Sequence, residues 1–236
     1  MERGLVLRQH FFGVESDQVQ DACKIVGEMC NLLAMTYLEQ EQYDLVLELL
    51  KKAEILTERD PLGKAVTFNN LACFYRKHGK LRNALKCLQR ALKIESKIEK
   101  VQSAADTHLN ACAVLSQLGR HSAALSHSKS ALILLQEELI NDLKWGEEHV
   151  ENENKQNKSI KLDRIAVLAI AYHNIGVEQE FMKQYRESYN SYQKGKEIAQ
   201  KYLGTEHFMT ITLNNSFIMA KKEMIHKEKK IHVSKK

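Results

Sequence analysis

The strongest constraint on this chain is a set of small residues that recurs at matched places in four of its segments. With the segments aligned on Leu33, Leu71, Ala111 and Ile175, the next position holds Ala34, Ala72, Cys112 and Gly176. Twenty residues past the reference come Ala53, Ala91, Ala131 and Gly195, and thirteen past it Val46, Ala84, Ala124 and Ser188. Bulkier residues recur as well: Cys30, Phe68, His108 and Tyr172 stand three before the reference, and Tyr43, Leu81, His121 and Tyr185 ten after it. Between the two halves of each segment runs a turn (LEQEQYD, KHGKL, QLGRH, FMKQYRE). Gly79 and Gly119 fall there, where a left-handed residue ends a helix at no steric cost. Each segment therefore reads as a helix hairpin, its small residues letting two antiparallel helices approach closely. One such hairpin cannot bury its apolar face alone, so neighbours must stack.

Composition agrees with an all-helical chain. One proline and ten glycines in 236 residues leave little to interrupt helices. Hydrophobic residues at 44% and charged ones at 28% are an ordinary globular balance. No apolar run approaches the roughly 18 residues of a membrane span. The N-terminal stretch has no cleavable-signal pattern and no glycine at position two, so a cytoplasmic location is expected. The five cysteines (Cys23, Cys30, Cys73, Cys87, Cys112) are odd in number and have no close pair, which makes them small buried hydrophobes rather than a disulfide framework or metal site.

The net charge of +5 resides in the tail KKEMIHKEKKIHVSKK (221–236), with seven lysines against two glutamates. A balanced remainder argues against nucleic-acid binding as the core activity. The tail reads either as a solvated helix end or as an electrostatic contact with an acidic partner surface, such as tubulin tails or anionic lipid.

The slots, a bulky residue followed by Leu-Gly/Ala, an aromatic and two later small residues, resemble the tetratricopeptide repeat (TPR). FNNLACFY…GKLRNALKCLQRALKI matches best and YHNIGVEQEFMKQYRESYNSYQKGKEIA next. The steps between references, with Ser216 of the capping helix as the fifth, are 38, 40, 64 and 41 residues, against the usual 34, and steps near 40 are similar to those of kinesin-light-chain-type repeats. The stretch LGTEHFMTITLNN resembles the inter-repeat sequence of those repeats, with Phe208 where proline is usual. The resemblance implies a right-handed α-solenoid of four hairpins (about 27–60, 65–100, 105–140 and 169–203) with a C-terminal capping helix at 205–228, together spanning 19–220. The surplus of the long step falls at 141–160, a polar, aperiodic stretch expected to be an exposed insertion whose Trp145 docks back on the solenoid or, as the alternative, marks a contact site. In the N-terminal segment, 1–18, Leu5, Leu7, Phe11 and Phe12 are expected to form a short cover. Relatives of this kind extend the expected location to the cytoskeleton or cilium.

No constellation for catalysis, cofactor or metal stands out: there is no phosphate-cradling glycine loop, no His-Glu-x-x-His and no Cys-x-x-Cys. His108 and His173 lie on first helices, where a structural role outweighs a metal one. The asparagines are the exception. The slot before the reference holds Leu32, Asn70, Asn110, Asn174 and, in the cap, Asn215, and the slot before that adds Asn31, Asn69 and Asn214. In a TPR solenoid the first helices line the concave face, so the resemblance points this row into the groove. Amides offer a donor and an acceptor each, which suits the backbone of an extended peptide. The other role open to the row is to tie one first helix to the next. Met35, Cys73, Ala113 and Val177 would floor the groove, Arg76, Lys77 and Lys80 would make its second repeat basic, and Glu178 and Glu180 would oppose them further on. The lysine and arginine slots with which some TPR modules grip terminal carboxylates hold Glu28, Val66, Asp106, Ile170 and Ile211, so that use is not expected.

The expected function is a non-catalytic protein-interaction adaptor that binds an extended peptide or a helix in the groove. The alternative is a structural subunit of a cytoskeletal or axonemal assembly that uses the outer face, the insertion and the tail.

Overall fold

The computed structural model describes the backbone of residues 2–99, 101, 103–148 and 155–234, and their side chains except at 2, 141–148, 155–160 and 228–234. Among the described residues the architecture is all-α: α1 (Glu2–Phe12), α2 (Asp17–Glu39), α3 (Tyr43–Leu56), α4 (Pro61–Lys77), α5 (Leu81–Glu95), α6 (Ala104–Gln117), α7 (His121–Glu148), α8 (Lys155–Phe181), α9 (Tyr185–Tyr202) and α10 (Phe208–Ser234). No helix among them is long and apolar enough to cross a membrane. The chain divides into two compact units, Met1–Asn110 and Ala111–Lys236, with the border inside α6.

In the first unit α1 packs on α2, α2 and α3 form a hairpin, α4 lies against both of them, and α4 and α5 form the next hairpin. In the second unit α7 packs on α8, α8 pairs with α9, and α10 lies against α9 and α8. The small slots are where these helices meet. Ala34, Ala53, Ala72, Ala91, Cys112 and Ala131 are all at most 1% exposed, and Gly176 and Gly195 are buried.

The four hairpins turn in the same way. Glu41, Gly79, Gly119 and Lys183, each eight residues past its reference, all have positive φ, between 60° and 70°. In each turn the next amide reaches back five residues: Gln42 N–H to the Tyr37 carbonyl (3.0 Å), Lys80 to Tyr75 (2.9 Å), Arg120 to Leu115 (2.9 Å) and Gln184 to Gln179 (2.8 Å). This is the Schellman closure, which satisfies carbonyls left open at a helix end. Glycine makes two of these turns and a left-handed Glu41 and Lys183 the other two, so slot position located all four where glycine content marked only two.

In the sequence the small slot and the slot seventeen past the reference vary together in size: Ala34, Ala72, Cys112 and Gly176 are matched by Leu50, Leu88, Ser128 and Tyr192 respectively. Alanine is matched by leucine, the larger cysteine by the smallest residue, and the residue with no side chain by the largest one, a volume trade that would hold the hairpins at one separation. A Cβ on Gly176 would lie 2.5 Å from a ring carbon of Tyr192, which is itself 1% exposed. Around Tyr192 the core of the second unit gathers Ala169, Ala199, Met209, Leu213 and Ala220.

Helix enters the stretch 141–160 from both sides, since α7 runs to Glu148 and α8 starts at Lys155. The stretch holds one glycine and no proline, so little in it stops a helix even where apolar periodicity fades. Just before it, Glu138 receives two hydrogen bonds from Arg164, at 2.9 and 2.7 Å, joining α7 to α8. The docking of Trp145 lies outside the described side chains. At the other end α1 covers α2 only in part: Leu7, Phe11 and Phe12 remain 57%, 74% and 56% exposed. Leu33, the first reference residue, is correspondingly exposed at 44%, whereas Leu71, Ala111 and Ile175 are buried.

Candidate functional site

The asparagine row begins in the first unit with the helices α2, α4 and α6. Adjacent helical residues differ by about 100° around the axis, so Asn69 and Asn70 on α4 address different neighbours. Asn70 reaches back: its Nδ2 donates to Asn31 Oδ1 on α2 at 3.1 Å. Asn69 reaches forward: its Oδ1 accepts from Asn110 Nδ2 on α6 at 3.0 Å. Asn69 and Asn70 together are a two-way tie between successive first helices.

The two ties differ in their access to solvent. Asn31 and Asn70 are buried, 4% and 8% exposed. Asn31 continues inward, donating through Nδ2 to Thr67 Oγ1 (2.9 Å), which donates to the Gly63 carbonyl (2.8 Å), while Thr57 Oγ1 caps the Ala53 carbonyl (2.7 Å). Buried amides of this kind are tolerated because their hydrogen-bonding groups are paired. Asn69 and Asn110 are only half-buried. Their mutual bond uses one carbonyl and one N–H, which leaves the Asn69 amide nitrogen as a donor and the Asn110 oxygen as an acceptor.

One step along, the same level of the hairpin holds a carboxylate. Glu95, 5% exposed, accepts from Thr107 Oγ1 (2.9 Å) and Ser103 Oγ (3.0 Å) through Oε1. Its Oε2 is buried without a partner. Burial pushes this carboxyl above the usual glutamate range, and the two hydroxyls oppose the rise in part.

In the second unit the row is different. Asn174 is half-buried, Asn214 half-buried and Asn215 exposed. The polar link to α10 is made instead by His173, whose Nε2 lies 3.2 Å from Ser216 Oγ. Of the charged residues expected along the groove, Arg76 is half-buried and Lys77 and Lys80 are exposed. Glu178 is 2% exposed, paired at 2.8 Å with His121 Nδ1, whose ring stacks on Phe181 at 4.1 Å between centroids. Glu180 accepts from the Tyr192 hydroxyl at 3.3 Å. Both carboxylates are thus engaged inside the second unit. The His121–Glu178 pair spans 57 residues, and no local pattern announces such a contact. Met35, Cys73, Ala113 and Val177 all emerge half-buried at equivalent helical positions. The five cysteines are free thiols, and burial pushes that of Cys112 up to about 11. Among the described residues no group of three histidines, cysteines or carboxylates is placed to hold a metal ion.

Comparison with known proteins supports the repeat reading. The tetratricopeptide-repeat family matches twice, over residues 65–95 and 169–202. No curated protein sequence matches the chain. Among solved structures, BtubC (BKLC) from P. vanneervenii is similar over 99% of this chain and 88% of its own, with 15% identity and a TM-score of 0.65. A Podosopora anserina putative kinesin light chain with nearly identical TPR-like repeats is similar over 88% and 91%, with 15% identity and a TM-score of 0.58. A Rap protein complexed with Competence and Sporulation Factor is similar over 98% of this chain and 56% of its own, with 16% identity and a TM-score of 0.58. At these identities the likeness is one of fold.

Proposed function

We propose that the chain is a non-catalytic protein-interaction adaptor that takes an extended peptide across the first helices of its hairpins. TPR repeats imply protein partners in general. The observation that carries the finer reading is the half-exposed Asn69–Asn110 pair. It holds one amide donor and one amide acceptor at the spacing of adjacent helices, with their orientation fixed by their own hydrogen bond. An extended peptide backbone presents the complementary acceptor and donor and loses water on docking unless both are met. Asn31 and Asn70 set the register of α2 against α4 beneath this pair. Asn174, Asn214 and Asn215 are the members of the asparagine row in the second unit and offer their amides there, and in the first unit Arg76 and Lys77 favour peptides with a carboxylate near the Asn69–Asn110 pair. The similar Rap structure was solved with a bound factor.

The test is selection of peptide ligands from a random library on the immobilised full chain, followed by titration against an Asn69→Leu/Asn110→Leu variant. Leucine keeps the side-chain volume and removes both amides. The expected result is a loss of affinity of about tenfold or more, roughly 1.4 kcal/mol, with an unchanged melting midpoint. Equal affinity for the folded variant overturns the reading.

A further inference from the structure

The charge of the first unit is divided by hairpin. Residues 15–60 hold eleven aspartates and glutamates against four lysines and arginines, whereas residues 61–94 hold eight lysines and arginines and no carboxylate. On α5, Arg82, Lys86, Arg90 and Lys93 are all exposed. Their spacing of four, four and three residues keeps them on one strip of the helix. At 1.5 Å per residue the strip is about 16 Å long. Lys77 and Lys80 stand exposed at the turn that leads into it. Arg90 has a partial partner, the Phe68 ring 5.5 Å away. Ion pairs among the described residues lie elsewhere, for example at Lys52–Glu48, Arg59–Glu15, His121–Glu178, Arg164–Glu138 and Lys227–Glu223. Like charges at i,i+4 repel along a helix, so a strip without ion pairs of its own costs stability.

We propose that this strip is a docking surface for an aspartate- or glutamate-rich segment of a protein partner. It lies on the second helix of the hairpin, apart from the asparagine pair, and is independent of the peptide-binding reading above. Arginine and lysine bind carboxylates through charge-assisted hydrogen bonds. An extended segment of about five residues spans a strip of this length. A membrane is a poorer match, because no large apolar side chain between Val66 and Ile133 is exposed among the described residues and none can anchor in the interface. A nucleic acid is a poorer match too. No exposed phenylalanine, tyrosine or tryptophan lies along the strip for a base to stack on, and a long polyanion running past it meets the carboxylates of the preceding hairpin, where Glu48 and Glu58 are exposed. A short acidic segment ends before that fence.

The experiment uses the full chain and a fluorescent decapeptide of aspartate and glutamate, with its asparagine–glutamine counterpart, phosphatidylserine vesicles and a short DNA duplex as parallel probes. The test variant is Arg82→Glu/Lys86→Glu/Lys93→Glu. The control, Lys24→Glu/Lys51→Glu/Lys129→Glu, makes the same change of net charge at other exposed positions. Both are checked for helicity and melting. The expected result is binding of the acidic peptide that weakens with salt and falls at least about tenfold in the test variant. The control and Asn69→Leu/Asn110→Leu should retain it. Failure of the native chain to bind the acidic peptide overturns the proposal. So does an equal loss in the control, or tighter binding of vesicles or duplex that the same test variant abolishes.

Discussion

The junctions between successive helices are built differently in the two units. In the first, the joint between α2 and α4 is polar: Asn70 to Asn31, Asn31 to Thr67, with Thr57 alongside at Thr67. The level after it repeats the device with Glu95, Thr107 and Ser103. In the second unit two of the matching slots are apolar. Ala171 stands where Thr67 and Thr107 do, and Ala199 where Thr57 and Glu95 do, and Tyr192, Met209 and Leu213 supply most of the joint to α10, with the half-buried His173–Ser216 contact as its polar link. The same hairpin thus accepts either joint. An apolar joint stabilises through buried area and tolerates small shifts. A satisfied amide joint adds little net energy but penalises any slip of register, because the amides are then buried unpaired.

The largest effect is expected inside the α8–α9 hairpin, whose Tyr192 also packs into the joint to α10. Gly176→Ala places a methyl group against the ring of Tyr192, which is packed on all sides, and should destabilise the protein by about 3 kcal/mol in urea unfolding. Adding Tyr192→Leu recreates the Ala72–Leu88 pairing of the second hairpin and should recover part of that loss. A double variant no better than the single one would show that the volume trade is not what sets the separation.

The polar joint predicts a smaller, position-specific effect. Asn31→Ala leaves the Asn70 amide and Thr67 hydroxyl buried without their partner and should cost about 2 kcal/mol. Asn215→Ala, at an exposed position in the second unit, should cost under about 0.5 kcal/mol. Equal losses at the two sites would erase the distinction between the units.

The smallest effect concerns Glu95. Because burial raises its pKa in the fold, the folded state holds a proton that the unfolded state releases between the two pKa values. Its contribution to stability therefore falls as pH rises from the ordinary glutamate range through the raised value. Glu95→Gln should flatten that slope and be more stable than the native protein at neutral pH by about 1 kcal/mol. A variant with an undiminished slope would assign the pH dependence to other groups.

Much of the hairpin pattern was legible because it depends on spacing. Small residues at fixed intervals mark close helix approaches whatever their surroundings, so the four hairpins and their turns could be placed from the chain alone. The turn at Lys183 needed slot position rather than residue type, since a left-handed lysine has no sequence signature. The stretch 141–160 shows no apolar stripe, so the helix that enters it from both sides, to Glu148 and from Lys155, had no periodic signal in the chain. At the candidate site the row of asparagines was visible, but not the direction in which each one points. Neighbours about 100° apart on one helix face different helices, and only the packed structure shows that Asn70 turns inward while Asn69 and Asn110 stay open to solvent.

By itself, then, the sequence determined the all-helical class, the number of hairpins, the turn positions and the column in which amides recur, because each follows from local periodicity. Tertiary structure alone decided which amides are buried, that Glu178 meets His121, and which joint is polar or apolar. Those outcomes depend on contacts between residues tens of positions apart, whose partners are chosen by packing volume and by the need to satisfy every buried polar group.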